Sequence, residues 1–277
     1  MALLPLPQPP LPDLSALRRL LDRSPRLAVL TGAGCSTESG IPDYRSPRAT
    51  PRREPMRFME FKRSAAARQR YWSRAFVGWQ AMAAARPNAA HDALAALERA
   101  GRLDCLITQN VDRLHQAAGS RRVVELHGAL AEVICLDCQA VSPREALQAR
   151  LAALNPSWQC ASATAAPDGD ADLDPGAEAF RVAPCEACGG PLKPRVVFFG
   201  EQVPPARVEA AFAAVERADA LLVAGSSLTV WSGLRFVRRA AERGIPIASV
   251  NLGPTRADDL FSVNVQARVG DVLPALP

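Results

Sequence analysis

The chain has 277 residues, of which 48% are hydrophobic, and a formal net charge of +5. No apolar run reaches the roughly 18 residues of a membrane helix, so we expect no membrane partner. The basic residues are scattered and form no block of the kind that binds nucleic acid, which is not expected as a partner either. The chain has seven cysteines, and we interpret the sequence as lacking an export signal. These two features predict a reducing, cytoplasmic compartment and favour metal binding over disulfides.

Four short apolar runs predict the buried strands of a sheet, because each run ends in small or amide residues. In chain order they lead to Gly34, Asn110, Ser227 and Gly253. Apolar spacing of three and four predicts helices between them, at 88–101, 208–218 and 232–244. This alternation predicts an α/β fold, a Rossmann-like parallel sheet with helices on both faces. Ligands of such sheets bind at the carboxyl ends of the strands, where all four polar clusters fall.

Two regions interrupt the alternation. Residues 48–87 carry proline, arginine and aromatic residues and predict a helical insertion, and residues 131–194 carry five of the cysteines. We therefore predict a Rossmann-like domain made of 1–47, 88–130 and 195–277. The helical insertion and a zinc-binding segment at 131–194 would together form a small lobe.

The first polar cluster, "TGAGCSTESGIPDYRS" at 31–46, is called the glycine loop below. It is typical of a phosphate site built from backbone N–H groups and a helix N-terminus. The dinucleotide fingerprint of dehydrogenases would need a third glycine at position 37, where the chain has Thr37. The loop therefore predicts a bound nucleotide and leaves open which one.

Two Cys-x-x-Cys pairs predict a metal site. Cys135 and Cys138 form one pair, and Cys185 and Cys188 form the other. Two thiolates on each of two tight turns give a tetrahedral site for one zinc ion, and four thiolates leave no open position, so the zinc would be structural. Two redox-active or unrelated pairs are the alternative. Cys35, Cys105 and Cys160 lack partners of this kind, and Cys105 lies in a predicted strand.

The three histidines differ in their surroundings. His91 and His115 lie in helical patterns, and we expect hydrogen-bonded structural roles for them. His127 follows an apolar stretch in "VVELHGAL" and stands just before the cysteine-rich segment. A histidine beside a crevice at the strand ends is well placed for general-base chemistry.

Taken together, these motifs resemble the sirtuins, the NAD-dependent protein deacylases, over roughly residues 13–275. The resemblance rests on the glycine loop, "TQNVDRLHQAAG", "ELHG", "PRVVFFGE", "GSSLTV", "VNLG" and the two cysteine pairs, all in family order. Segments such as "RQRYWSRAFVGW" and "GPTRADDL" are most similar to class II sirtuins.

The resemblance implies an NAD site and a catalytic set. The implied cofactor contacts are Gly32, Ala33, Gly34, Ser36, Thr37, Asp43, Tyr44, Arg45, Gln109, Asn110, Val111, Asp112, Gly225, Ser226, Ser227, Asn251, Leu252, Gly253 and Val269. Asn110 and Asp112 would line the nicotinamide pocket, and His127 would take a proton from a ribose hydroxyl. NAD would be consumed as a co-substrate: nicotinamide leaves, and the acyl group of an acyl-lysine protein or peptide moves to ADP-ribose. The missing third glycine agrees with this chemistry, which needs no hydride transfer.

The resemblance also implies where the peptide binds. Val197, Phe198 and Phe199, with Gly200 and Glu201, would form one wall of the peptide groove, and an extended substrate could add there as a strand. Tyr71 and Arg74 have the Tyr-x-x-Arg spacing that class III sirtuins use against acidic acyl chains. Because residues i and i+3 share a helix face, both side chains could reach one carboxylate. The hypothesis is a preference for longer or acidic acyl groups over acetyl.

Two departures and two alternatives accompany this interpretation. Cys35 stands where sirtuins have an aliphatic residue, and Arg195 stands where they have an acid or amide, which affects the expected peptide preference. Protein mono-ADP-ribosyl transfer at the same NAD site is one alternative function. A zinc-ribbon binding module, with the nucleotide fold serving only as scaffold, is the other.

Overall fold

The computed structural model describes residues 12–43, 55–158 and 179–276. Within these ranges the strands are β1 (Leu27–Thr31), β2 (Leu103–Thr108), β3 (Val123–Glu125), β4 (Gly128–Cys135), β5 (Val141–Pro143), β6 (Leu192–Val196), β7 (Ala220–Ala224), β8 (Ile247–Asn251) and β9 (Val263–Gln266). The α-helices are α1 (Ser15–Asp22), α2 (Phe58–Arg63), α3 (Ala65–Ala84), α4 (Ala89–Arg99), α5 (Leu114–Ala117), α6 (Arg144–Leu154), α7 (Pro205–Arg217), α8 (Trp231–Glu242) and α9 (Val269–Val272). None of these described helices combines the length and the hydropathy that a bilayer crossing requires.

The larger sheet confirms the predicted Rossmann-like architecture. It is parallel throughout and has the strand order β3-β2-β1-β7-β8-β9. Thr31 at the end of β1 aligns with Thr108 of β2 and with Ala224 of β7, so these three strands end at the same edge. The chain order reverses between β1 and β7. Open parallel sheets bind ligands in the crevice at such a reversal.

Helices cover both faces of this sheet, as predicted. Successive side chains of a strand point to opposite faces. Leu27 and Val29 of β1 accordingly join a hydrophobic cluster with residues of α1, α4 and α9, whereas Ala28 and Leu30 join a second cluster with residues of α7 and α8. Each fully buried aliphatic side chain contributes about 1.5–3 kcal/mol. Strand β1 is therefore packed on both faces, and this packing fixes the position at which the glycine loop begins.

The described part of the glycine loop contains no α-helix. The described residues after β1 form two short 3-10 turns, Ala33–Cys35 and Thr37–Ser39, and Gly40 ends the second turn with a φ of 83°. Up to residue 43, where the described part of this loop ends, no α-helix presents its N-terminus to the crevice. A phosphate bound here would depend on backbone N–H groups and side chains.

The smaller sheet is antiparallel and has the order β5-β4-β6. Strands β4 and β6 share one hydrophobic cluster with α2, α3 and α6. Trp72 on α3 ties the helices to the sheet, because its Nε1 donates a hydrogen bond to Leu192 O (3.0 Å). Helices α2 and α3 lie in the described part of the predicted helical insertion. The domain limits given above stay a prediction.

Candidate active site

The glycine loop packs directly against the chain that follows β7. Gly32 N donates to Ala224 O (3.1 Å), and Gly34 N donates to Gly225 O (2.9 Å). A Cβ on Gly32 would lie 2.8 Å from Ser226 Cβ, and one on Gly34 would lie 2.9 Å from Gly225 O. The close approach of two strand ends, rather than helix packing, therefore requires these glycines. The crevice at this reversal is lined by backbone from both loops, an arrangement that fits a dinucleotide.

A hydrogen-bonded network joins the glycine loop to the end of β2. Ser36 Oγ donates to Asp112 Oδ2 (2.7 Å) and accepts from Asn110 Nδ2 (3.0 Å). Asn110 Nδ2 also donates to Gly32 O (3.0 Å). The other carboxylate oxygen of Asp112 accepts from Leu114 N (2.9 Å). These predicted residues, which come from two separate segments, are therefore brought together with their amide and carboxylate groups fixed in orientation.

His127 lies between the end of β2 and the start of α8. Its Nδ1 is 3.0 Å from Gln109 O, and its Nε2 is 2.8 Å from Ser232 Oγ. A carbonyl oxygen only accepts, so Nδ1 carries the proton and Nε2 presents a lone pair. Gln109 is held in turn, because its Nε2 donates to Ser226 Oγ (2.8 Å). The imidazole therefore has the tautomer and the fixed position that a general base needs.

The surroundings of His127 favour its neutral form. Burial lowers the pKa of this imidazole, and the positive charges of Arg235 and Arg207 lower it further. The hydrogen bond to Gln109 O acts in the opposite direction and is outweighed. Because desolvation penalises the charged form, the ring is neutral and able to accept a proton at physiological pH.

The remaining predicted cofactor residues differ in their exposure. Asn251 Nδ2 donates to Gly253 O (2.9 Å) at the end of β8, Val269 is buried, and Leu252 is 70% exposed. The half-buried members are Ala33, Asp43, Val111 and Ser227, while Thr37 is exposed. Tyr44 and Arg45 lie outside the described residues.

The predicted peptide wall runs directly beside His127. Val197 N donates to His127 O (2.8 Å), and Phe199 O accepts from Phe58 N (3.0 Å). Phe198 is buried, whereas Phe199 is 47% exposed. Glu201 Oε2 accepts from Phe198 N (2.9 Å), so the acidic residue closes this segment into a turn. The wall thus offers one exposed aromatic side chain at the edge of the site.

Tyr71 and Arg74 lie on α3, as their spacing predicts, but the phenol ring is 2% exposed. It packs edge-on against Phe61 (centroids 5.4 Å apart) and Phe198 (5.2 Å). Tyr71 therefore lies directly behind the predicted peptide wall, within the aromatic core of the small lobe. Arg74 is half-buried.

Arg195, the unusual residue before "VVFFGE", is held by an ion pair. Its Nη1 lies 2.7 Å from Glu132 Oε2, and the other oxygen of Glu132 lies 2.9 Å from Arg113 Nη2. Two guanidinium groups thus share one carboxylate at the rim of the small lobe. The charge of Arg195 is partly neutralised by this contact.

The four predicted zinc ligands lie together. Their sulfur atoms are all within 4.8 Å of one another, with Cys135 Sγ 3.5 Å from Cys188 Sγ and Cys138 Sγ 3.8 Å from Cys185 Sγ. A zinc ion about 2.3 Å from each sulfur in a tetrahedron would separate the sulfurs by about 3.8 Å. The residues therefore fit a structural zinc ion, which would be held by four thiolates.

The two cysteine turns have the same backbone form. Gln139 N donates to Cys135 O (3.2 Å), and Gly189 N donates to Cys185 O (2.9 Å). Gln139 and Gly189 each follow the second cysteine of a pair and have φ values of 61° and 76°. Each turn thus needs one left-handed residue, which glycine adopts without strain and glutamine does not.

Sequence reasoning missed Ser232, whose hydroxyl contacts the candidate base. Ser232 is the second residue of α8, which follows the polar cluster at the end of β7. The sequence could have indicated Ser232 as a site residue, because it is a polar residue at the start of α8, and α8 begins at the carboxyl edge of the sheet. Arg113, which joins Glu125 (3.0 Å) to Glu132 (2.9 Å), was missed as well.

Comparisons with known proteins agree with this geometry. A model of the Sir2 family matches residues 32–232. An NAD-dependent protein deacetylase of Xanthomonas axonopodis pv. citri is 54% identical over 266 residues, which are 95% of this chain and 91% of that protein. The mitochondrial NAD-dependent protein lipoamidase sirtuin-4 of Bos taurus is 50% identical over 277 residues, which are 98% of this chain and 88% of that protein.

Solved structures give the same result. One described as Sir2 with a p53 peptide and NAD+ has a TM-score of 0.76 at 30% identity, covering 95% of this chain and 96% of that chain. Another, described as Sir2Tm bound to a propionylated peptide, has a TM-score of 0.75 at 30% identity, with 95% and 96% covered.

Proposed function

The chain belongs to the Sir2 family, and from this premise we propose that it removes acyl groups from lysine side chains of proteins in an NAD-dependent reaction. The observation that carries the proposal is the placement of His127. Its Nδ1 is fixed on Gln109 O, and the lone pair of its Nε2, which Ser232 Oγ contacts at 2.8 Å, lies at the crevice where the parallel sheet reverses. A neutral, oriented imidazole at that place is suited to general-base work.

NAD+ supplies the acyl acceptor, because loss of nicotinamide leaves an ADP-ribose carbon open to the acyl oxygen. The glycines of the two loops let the backbone approach the pyrophosphate closely. Asn110 and Asp112, held by Ser36, would orient the nicotinamide end. Asn251 at the end of β8 would meet the adenosine ribose, and Val269 would pack beside the bound cofactor.

In the proposed reaction His127 Nε2 accepts a proton from a ribose hydroxyl. Burial keeps the pKa of the imidazole below its ordinary value, so the base is free at neutral pH. A dry, preorganised site strengthens the electrostatic interactions on which such a transition state depends. Ser232 would hold the ring until substrate arrives.

The substrate would be an acyl-lysine protein or peptide that lies along Val197, Phe198 and Phe199. The 47% exposed ring of Phe199 gives an extended peptide an apolar contact. Backbone groups of this segment already pair with Phe58 and His127, so an added strand would extend an existing arrangement.

For the acyl group we propose that longer or acidic chains are preferred over acetyl. The bovine relative with 50% identity is named a lipoamidase, while the Xanthomonas relative is named a deacetylase. The buried ring of Tyr71 touches Phe198 and so could shape an acyl channel behind the wall. Arg74, one turn further along α3, would bind a terminal carboxylate.

The experiment is product analysis by mass spectrometry. The purified chain, NAD+ and acetyl-, glutaryl- or lipoyl-lysine peptides should give O-acyl-ADP-ribose, nicotinamide and free lysine. His127→Ala should lower turnover about 10²–10⁴-fold, and Glu145→Ala on the exposed face of α6 should leave it unchanged. ADP-ribose attached to protein, without O-acyl-ADP-ribose, would replace deacylation by ADP-ribosyl transfer.

The acyl preference needs a separate comparison of kcat/KM among the same peptides. Arg74→Ala should lower the value for glutaryl-lysine at least about tenfold while leaving acetyl-lysine within about twofold. Arg70→Ala is the matched control, because Arg70 lies on the same helix and pairs with Glu60 (2.7 Å). A clear preference for acetyl-lysine in the wild-type enzyme would overturn the acyl proposal and leave the deacylase proposal intact.

A further inference from the structure

Three potential metal ligands meet inside the protein behind the glycine loop. Cys35 lies in the first 3-10 turn, His91 in α4 and His115 in α5, and each is at most 1% exposed. The sulfur and one ring nitrogen of each histidine lie within 4.8 Å of one another. This cluster is separate from the four cysteines and contains none of the residues assigned above to NAD or peptide.

One nitrogen of His115 has a lone pair and no partner. Its Nε2 is 2.9 Å from Thr31 Oγ1, and that hydroxyl donates its own hydrogen to Thr108 Oγ1 (2.9 Å). The ring must therefore donate through Nε2, which leaves the lone pair on Nδ1. Nδ1 is buried and has no hydrogen-bond partner.

His91 repeats this arrangement. Its Nδ1 is 3.0 Å from Asn88 Oδ1, and the same nitrogen accepts from Asn88 N–H (3.3 Å) when it carries no proton. Its Nε2 is also buried without a partner, and it presents a lone pair in the tautomer that donates through Nδ1 to Asn88 Oδ1. The two rings are tilted at 54° to each other, with centroids 4.7 Å apart. Buried polar atoms without partners are rare, and two in neighbouring rings require a reason.

Protonation does not satisfy these lone pairs. Burial lowers the pKa of His91, and burial together with the neighbouring His91 lowers the pKa of His115 to about 3. Burial likewise raises the pKa of the Cys35 thiol. At neutral pH the cluster thus contains two neutral imidazoles and one thiol, and a bound cation would have to displace the thiol proton.

We propose that Cys35, His91 and His115 form a second, buried metal site that binds one copper ion in its monovalent state. One thiolate and two imidazoles in a trigonal set are ligands that suit copper, and thiolate favours the monovalent ion. Binding releases the thiol proton to solvent, and the thiolate then balances the single charge of the ion. Net neutrality suits a site from which water is excluded.

The hydrogen bonds that hold the two imidazoles have the form found at metal centres. Ligating histidines donate their other ring N–H to an oxygen acceptor, which fixes the tautomer and the ring orientation. Thr31 Oγ1 and Asn88 Oδ1 fill this role here.

The test is an anaerobic titration of the zinc-loaded chain with Cu(I) supplied by a chromophoric chelator. The wild-type chain should bind one more copper ion than Cys35→Ala, and loss of the thiolate should weaken that binding at least about 100-fold. Cys105→Ala is the matched control: Cys105 is also buried, but it lies in the hydrophobic cluster of the opposite sheet face, and copper uptake should not change. X-ray absorption should show one sulfur and two nitrogen ligands in the Cys35-dependent ion.

Cys35→Val replaces the thiol by an apolar side chain without leaving a cavity, and circular dichroism and retained zinc would detect a folding artefact. Equal copper uptake by the wild-type and both Cys35 variants would overturn the site. A parallel titration with Zn(II) tests the identity of the ion. Cys35-dependent uptake of zinc but not of copper would overturn the assignment to copper.

Discussion

Ser232 Oγ lies 2.8 Å from His127 Nε2, although the two residues are 105 positions apart in the chain. Because Nδ1 of this ring donates to Gln109 O, the serine hydroxyl is the donor in the contact with Nε2. It therefore stabilises the neutral imidazole and occupies the lone pair that the proposed reaction uses.

We expect Ser232→Ala to raise the pKa of His127. A neutral hydrogen bond contributes about 0.5–1.5 kcal/mol, so its loss corresponds to a shift of about 0.4–1 unit. The acid limb of kcat/KM against pH should move to higher pH by that amount. Ser232→Thr keeps a hydroxyl and should restore the wild-type profile. Superimposable acid limbs for the wild type and the alanine variant would contradict the role given to this hydroxyl.

The wild-type pH profile should itself reflect the burial of His127. The base works only when neutral, and its pKa is lowered, so kcat/KM should be level above about pH 6.5 and fall only below it. His127→Ala should lower turnover about 10²–10⁴-fold while NAD+ still binds, as isothermal titration calorimetry would show. An acid limb centred above pH 6.5 would be inconsistent with a buried neutral base.

Alanine substitutions at two glycines distinguish a steric clash at the site from the general cost of a positive φ. Gly225 has a φ of 63°, and a Cβ there would collide with the backbone nitrogen of Cys35. Gly244 has a φ of 69° after α8, and a Cβ there would meet nothing within 4 Å. We expect Gly225→Ala to lose NAD+ affinity at least about tenfold, and Gly244→Ala to lose only about 1–2 kcal/mol of unfolding free energy. Equal NAD+ affinities in the two variants would refute the close-approach argument.

Lys193 is a buried cation beneath the peptide wall. Its Nζ lies 3.0 Å from Glu201 Oε2 and 4.6 Å from the centroid of the Phe198 ring. Lys193→Met removes the ion-pair partner of Glu201 and leaves it only the hydrogen bond from Phe198 N. We expect the free energy of unfolding in urea to fall by about 2–3 kcal/mol, less than for a fully enclosed pair because Glu201 is 24% exposed. Adding Glu201→Gln should recover part of the loss. Strictly additive losses in this cycle would show that the two side chains are not coupled.

Removal of one zinc ligand should unfold part of the small lobe. Cys138→Ala leaves three sulfurs, and we expect the zinc to be lost on dialysis against a chelator and the melting temperature to fall, because metal affinity contributes directly to folding. Zinc content by mass spectrometry and thermal unfolding give the two readouts. Cys105→Ala should keep one zinc per chain. Full zinc retention by Cys138→Ala would rule out the four-sulfur site.

The sequence predicted the parallel sheet because its strands are uninterrupted apolar runs, such as 27–31 and 220–224, which leave few other interpretations. The cysteine turns were predictable because both ligands of a turn lie within four residues. The two 3-10 turns of the glycine loop, which end at Gly40 with a positive φ, were not predicted, because such short turns have no apolar periodicity. Strand β9 was missed because only one of its four residues is buried, so the apolar signal is weak.

Contacts between distant segments were harder to predict. Ser232 reaches His127 only because α8 starts at the edge where β2 also ends, and local periodicity does not contain that information. His91 and His115 each have the structural hydrogen bonds that their patterns suggested. Their approach to Cys35 depends on the packing of α4 and α5 behind β1. That packing cannot be predicted from the sequence of any one of these segments.

Asn88 starts α4 and also secures the glycine loop. Its Oδ1 accepts from Ala90 N (3.0 Å), while its Nδ2 donates to Cys35 O (2.9 Å) and to Ser39 Oγ (3.0 Å). A nucleotide that holds the loop still therefore also holds the first turn of the helix. The amides of Ala90 and His91 should exchange with deuterium more slowly once nucleotide is bound. The exchange rates of these two amides would therefore indicate whether nucleotide is bound in the crevice, although neither amide contacts the ligand.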